Sequence, residues 1–191
     1  MTRVVGSSEP RGAGLQARLV AFIFDTVILV AFLALFGMIA MFQLLVRSNF
    51  GDSDPPNAAF YAAIGIVAAV IPFWVLFNVW LLSWRGQTVG KYIVGIRIAR
   101  SDGGRLGSFR ALLRMFLLNP LLFHPALVIP WTLLVVLSTQ QTRNAVVLFT
   151  TATVLVLSVL ATPVALVTVL SDRKRRALHD RIVDTLVVAG D

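Results

Sequence analysis

At 191 residues, with 58% apolar side chains, only 14% charged ones and a mean hydropathy of +0.85, the chain lies outside the range of soluble domains, where charged residues make up about a quarter. On a soluble chain a net charge of +8 would suggest nucleic acid, but here the basic residues flank long apolar runs, which excludes that reading and points to a membrane protein. There are no cysteines, so disulfides, thiolate nucleophiles and Cys-ligated metals are excluded too.

Residues 1–16 carry glycines, Pro10 and serines with little apolar periodicity and read as a flexible leader. The first apolar run, residues 17–46, opens with Arg18 and holds one acid, Asp25. It is long, and further apolar runs follow it, so it reads as a retained anchor and not a cleaved signal. An ionisable group inside such a span costs about 2.5–3.5 kcal/mol at its centre, so Asp25 needs a partner or a wet cavity. A polar turn with Asp52, Asp54, Pro55 and Pro56 follows, and then a second span, residues 58–84, which Pro72 is expected to kink.

The next stretch is basic, with Arg85, Lys91, Arg97, Arg100, Arg105 and Arg110 against Asp102 alone. Gly86 and Gly90 lie too close together for a phosphate-binding loop, and Tyr92 follows Lys91 where such a loop needs Ser or Thr. Val94, Ile96 and Ile98 alternate with small or charged residues ahead of Asp102-Gly-Gly, the pattern of a short strand and tight turn at the membrane surface.

A third span is read at residues 111–137. Pro120, Pro125 and Pro130 prevent it from being straight, and the backbone groups they free must be satisfied by protein or water. A fourth is read at 144–170, after a turn over 138–143. The tail, residues 172–191, begins with Arg173, Lys174, Arg175 and Arg176, which would attract anionic head groups. Leu178 and Ile182 then mark a short amphipathic helix, and residues 185–189 a short strand that could pair with residues 94–99. The fold class is therefore an all-α membrane protein with four transmembrane helices and short cytoplasmic strand-like and amphipathic elements. The Lys/Arg asymmetry places both termini and the 85–110 loop in the cytoplasm.

Three blocks together resemble the RDD family of multi-pass membrane proteins, named for an arginine and two aspartates. They are Ala17-Arg18 with Asp25, the run from Arg85 through Gly86, Gln87, Gly90, Lys91 and Gly95 to Arg97 with Asp102 after it, and Leu178-His179-Asp180 with Asp184 close behind. The likeness spans residues 17–188, with Tyr92 a slight departure from the middle block. It implies that Arg18, Asp25 and Asp180 are the eponymous residues, that the protein sits in a bacterial cell membrane, and that transport, including cation/proton exchange, is a role proposed for such proteins.

Arg18 and Asp25 are seven residues apart, which puts them near one helix face but roughly 10 Å apart along the axis, so each is expected to find its partner elsewhere. Asp180, which the topology returns to the same surface, is the natural acid for Arg18. Asn78, His124 or Arg114 are candidates near Asp25. Together these residues form either a polar clasp tying the tail to the first span or an ion or proton site. His124 and His179 are isolated, and no nucleophilic triad or metal-ligand spacing appears, so neither catalysis nor a cofactor is expected. The function expected is an accessory or assembly subunit of a larger membrane complex, its partners being the bilayer, anionic lipids and other subunits or further copies of the chain. The alternative is a small transporter or cation/proton antiporter using Asp25.

Overall fold

A computed structural model describes residues 12–102, 104, 106–139 and 144–189. Most of the expected leader, Arg105 and most of the 138–143 turn lie outside the described residues.

The first helix, α1, runs Leu15–Arg47, where Ser48 caps it. After a short 3-10 turn over Asn49–Gly51 come α2 (Asn57–Ala68) and α3 (Val70–Arg85). The break at Ala69 follows from Pro72, which has no N–H to donate and whose ring meets the carbonyl of residue 68 one turn earlier. α4 (Val89–Val94), β1 (Ile96–Arg100), α5 (Ser108–Phe116), α6 (Val128–Thr139), α7 (Ala145–Ser171), α8 (Leu178–Ile182) and β2 (Thr185–Ala189) complete the chain. The described residues are thus mostly helical, with one small two-stranded sheet.

Among the described residues, three stretches are long and apolar enough to cross a membrane: Leu15–Arg47, Asn57–Arg85 and Ala145–Ser171. Their outward faces carry Ile23, Val27, Met38, Phe42, Leu148, Phe149 and Val159, all exposed, as lipid-facing surface requires. The third expected span departs from the sequence reading. Residues 111–137 are not one helix but α5, an irregular stretch, a 3-10 turn at Pro125–Leu127, and the short apolar helix α6. Pro120 biases Asn119 away from helical geometry, and Leu118 before it turns with a φ of 50°. Protein groups satisfy the freed backbone: Trp74 Nε1 donates to the Leu121 carbonyl at 2.8 Å, Asn119 Nδ2 donates to the Arg114 carbonyl at 3.3 Å, and Leu121 N–H donates to Asn119 Oδ1 at 3.0 Å.

The core is built where α1, α3 and α5 meet, around fully buried Trp74, Leu82, Met115, Leu122 and Leu127. Phe32 of α1 stands edge-on to Phe73, Trp74 and Phe77 of α3, which fixes the facing of those two helices. At one end of this core the short elements form a cap. β1 and β2 pair antiparallel with Ile98 opposite Val187, and Gly12 and Ala13 run along the other side of β2, the Ala13 N–H donating to the Val187 carbonyl at 2.6 Å. Val94, expected in the strand, instead ends helix α4; the strand begins at Ile96, after Gly95 in left-handed geometry (φ 72°).

Candidate functional site

Two buried carboxylates organise the junction between the cap and the long helices. Asp25, on α1, is 1% exposed. Its Oδ2 accepts from the Thr88 hydroxyl at 2.6 Å and its Oδ1 from the Gly90 backbone N–H at 2.8 Å, while Lys91 Nζ stands 3.9 Å from Oδ2. All three donors belong to α4 and its N-cap, and they correct the sequence expectation. Asn78 donates to the Trp74 carbonyl, His124 meets the Thr26 hydroxyl, and Arg114 turns to the other acid. The reason is a backbone approach: a Cβ on Gly90 would stand 2.1 Å from the Ala21 carbonyl oxygen, so only glycine lets α4 lie against α1 closely enough to reach Asp25.

The rest of the middle block follows from the same requirement. Gly86 ends α3 in left-handed geometry (φ 68°), and a Cβ there would meet the Ile98 carbonyl oxygen at 2.6 Å. Gln87 Nε2 donates to the Ile96 carbonyl at 3.1 Å, and the Thr88 hydroxyl caps α4 by accepting from the Lys91 N–H at 3.3 Å. Arg97 lies in β1 opposite Val188. Asp102 closes the turn after the strand, paired with Arg100 at 2.5 Å and accepting from the Gly104 N–H at 2.9 Å.

Asp180, the N3 residue of α8, is fully buried. Its Oδ1 receives Arg114 Nη2 at 2.6 Å, Arg114 Nε at 2.9 Å and the Thr185 hydroxyl at 3.2 Å. Its Oδ2 receives Arg18 Nη1 and the Ala177 N–H, each at 3.2 Å. Three distant parts of the chain therefore converge on one carboxylate. Burial alone would raise the Asp180 carboxyl, but Arg114, His179 and Arg18 outweigh it and hold the group well below the usual carboxylate range. Burial pushes neighbouring His179 down to about 3, so its ring is neutral at pH 7, and burial likewise lowers Lys91 to about 8 against the pull of Asp25.

The tail is tied to α7 as well. Leu178 N–H donates to the Thr168 hydroxyl at 3.1 Å, Arg181 Nη2 donates to the Thr168 carbonyl at 2.8 Å, and Arg176 pairs with Asp172 at 3.1 Å. Of the four tail cations expected at head groups, Arg173, Lys174 and Arg175 are exposed and Arg176 is partly covered by that pair.

The sequence reading brings together Arg18 and Asp180, and the structure places them in contact; Asp25 forms a separate cluster with the middle block. Two positions of these clusters, Thr88 and Thr185, escape the sequence reading, and it assigns Arg114 to the wrong acid. Among the described residues, no cluster of His, Cys, Asp or Glu has metal-binding geometry.

Helices apolar enough to cross a membrane, two buried acids at their polar ends and a small β-ribbon cap define a polytopic membrane protein with ionic anchors. The RDD family model matches residues 12–184, and the chain belongs to that family. No curated protein and no solved structure matches it.

Two predictions come from this geometry. Asp180→Asn leaves two buried guanidinium groups unpaired and is expected to cost about 3–5 kcal/mol. Arg18→Gln costs less, since Arg114 still holds the acid, and the double variant is expected to be better than the summed losses by about 0.5–3 kcal/mol. Denaturation in detergent measures the cycle, and additive losses would contradict the contact.

The second concerns pH. His179 titrates at about 3 when folded against 6.5 ordinarily, so the unfolded chain takes the proton first; that part of the stability is complete above pH 6.5 and is lost as pH falls toward 3. The depressed Asp180 carboxyl adds its own loss only below its ordinary 3.8. The melting temperature should therefore fall by several degrees between pH 7 and 4.5, and His179→Gln should flatten this part of the curve while leaving the steeper fall below pH 4. An unchanged slope in that variant would refute the assignment.

Proposed function

We propose that this chain is a non-catalytic accessory or assembly subunit of a larger membrane complex, in which Arg18, Asp25 and Asp180 are a polar clasp holding a docking cap on the membrane helices. The observation that carries this reading is the saturation of both carboxylates. Every oxygen of Asp25 and Asp180 accepts from a donor of the same chain, and several of those donors are backbone N–H groups or capping hydroxyls that cannot swing away. A site that exchanges ions needs oxygens able to release one partner for another.

The Lys/Arg asymmetry supports placing the cap and both termini in the cytoplasm of a bacterial cell. Four crossings remain the best fit to that asymmetry, with Pro125–Thr139 as the apolar part of the third crossing in chain order. Fifteen helical residues rise only about 22 Å, so the irregular backbone before them would complete the passage inside protein. α5 presents Phe109, Leu112, Leu113 and Phe116 outward while Arg114 points in, an arrangement suited to a helix lying in the membrane interface. Exposed Arg173, Lys174 and Arg175 suit anionic lipid beside it.

A second reading, a small cation/proton antiporter using Asp25, has one observation in its favour: Asp25 and Lys91 both line a cavity. Two measurements separate the readings. Isolated from its native membrane in mild detergent, the chain is expected to copurify in fixed ratio with larger membrane proteins, and in proteoliposomes the wild type is expected to carry no proton-coupled cation flux. A homo-oligomer that drives such flux, and loses it in Asp25→Asn without losing folded protein, would overturn the subunit reading.

A further inference from the structure

A cavity of about 110 Å³ lies between the clasp and the polar ends of α1 and α7. At roughly 10–15 Å³ of such space per water, it has room for a group much larger than one water molecule. Its polar wall carries Arg18, Lys91, Arg114, His179 and Asp25; its apolar wall includes Leu19 and Phe22 of α1 and Ala165, Leu166 and Val169 of α7. The clasp does not use all the donors on the polar wall. Arg18 Nη2 and Arg114 Nη1 are each buried with no hydrogen-bond partner, and Arg114 as a residue is only 2% exposed.

The charges leave the same surplus. Arg18, Lys91 and Arg114 bring three positive charges to this region; Asp25 and Asp180 bring two negative ones, and His179 is neutral at pH 7. A buried unpaired charge and unmet guanidinium donors are both costly, and a single monoanion with several acceptor oxygens relieves both. Arginine donors in a fixed fork match the oxygens of a phosphate.

We infer that this cavity is a binding site for a phosphate monoanion, held by the side chains of Arg18 and Arg114 on its wall. The phosphodiester of an anionic phospholipid and free inorganic phosphate share this chemistry. The apolar wall from α1 and α7 distinguishes them, because an acyl chain would lie along it while a free ion would leave it empty. The inference goes beyond the clasp reading, which concerns only contacts within the chain.

The test uses the full chain purified in detergent, titrated separately with phosphatidylglycerol, with phosphatidylcholine as the equally apolar control, and with inorganic phosphate, with melting temperature and native mass spectrometry as readouts. Phosphatidylglycerol is expected to raise the melting temperature saturably and to remain bound in the mass spectrum at one per chain, with phosphatidylcholine doing neither. Ala165→Phe, which fills the apolar wall without touching an ion pair, should raise the half-saturating phosphatidylglycerol concentration at least tenfold. Lys91→Gln, which cancels the surplus charge, should weaken binding in the same direction. Saturable stabilisation by inorganic phosphate that Ala165→Phe leaves intact would assign the site to the free ion and keep the phosphate chemistry. Equal shifts from both lipids with none from phosphate, or no shift at all, would overturn the inference. Because the clasp is measured by the Arg18/Asp180 cycle, that result would leave the clasp standing.

Discussion

The carboxylate of Asp180, enclosed by Arg18 and Arg114, is the contact on which the cap depends. A two-stranded ribbon with five-residue strands and a five-residue helix are each marginal alone, since neither closes enough apolar surface to offset its ordering. Asp180 joins the start of α1, the last turn of α5 and the start of α8 at one point. Burying an acid costs several kcal/mol, and this site offsets that with five donors on two oxygens.

The second acid extends the same logic to the middle block. Asp25 holds α4 through a capping hydroxyl and a backbone N–H, and α4 in turn delivers the chain through Gly95 into β1, the strand that pairs with the tail. The two carboxylates thus secure the two sides of one ribbon: Asp25 the side that precedes β1, Asp180 the side that precedes β2. The irregular stretch after α5 belongs to this arrangement. A continuous third helix would carry Arg114 onward through an apolar span, whereas ending α5 at Phe116 lets the guanidinium stay at the level of the cap. Trp74 and Asn119 secure the released backbone.

Much of this was legible in the sequence. The first and last long helices follow from long apolar runs, the break before Pro72 from proline sterics, and the ribbon from the alternation around Ile96 and Ile98 together with the short apolar stretch at 185–189. That Arg18 seeks Asp180 follows from the helical spacing that keeps it from Asp25. What was not legible has physical causes. Residues 111–137 read as one span because Leu112, Leu113, Met115 and Phe116 of α5 extend the apolar run, while Arg114 turns inward to an acid the sequence does not place. Val94 reads as the start of the strand because it continues the alternation of Ile96 and Ile98; the short helix it ends holds Gly90 and β-branched residues that disfavour helix, and it is stabilised by docking on α1. Thr88 escaped notice because a capping threonine in a loop looks ordinary until the acid it serves is placed in space.

Amide hydrogen exchange on the purified full chain compares wild type with Asp180→Asn most directly. If the ion cluster anchors the cap, protection is lost together across Ile96–Arg100, Leu178–Ile182 and Thr185–Ala189 in the variant, while the interior of Ala145–Ser171 exchanges as slowly as before. Unchanged protection of both strands in a folded Asp180→Asn protein would show that the cap stands without its buried acid, and would contradict the account.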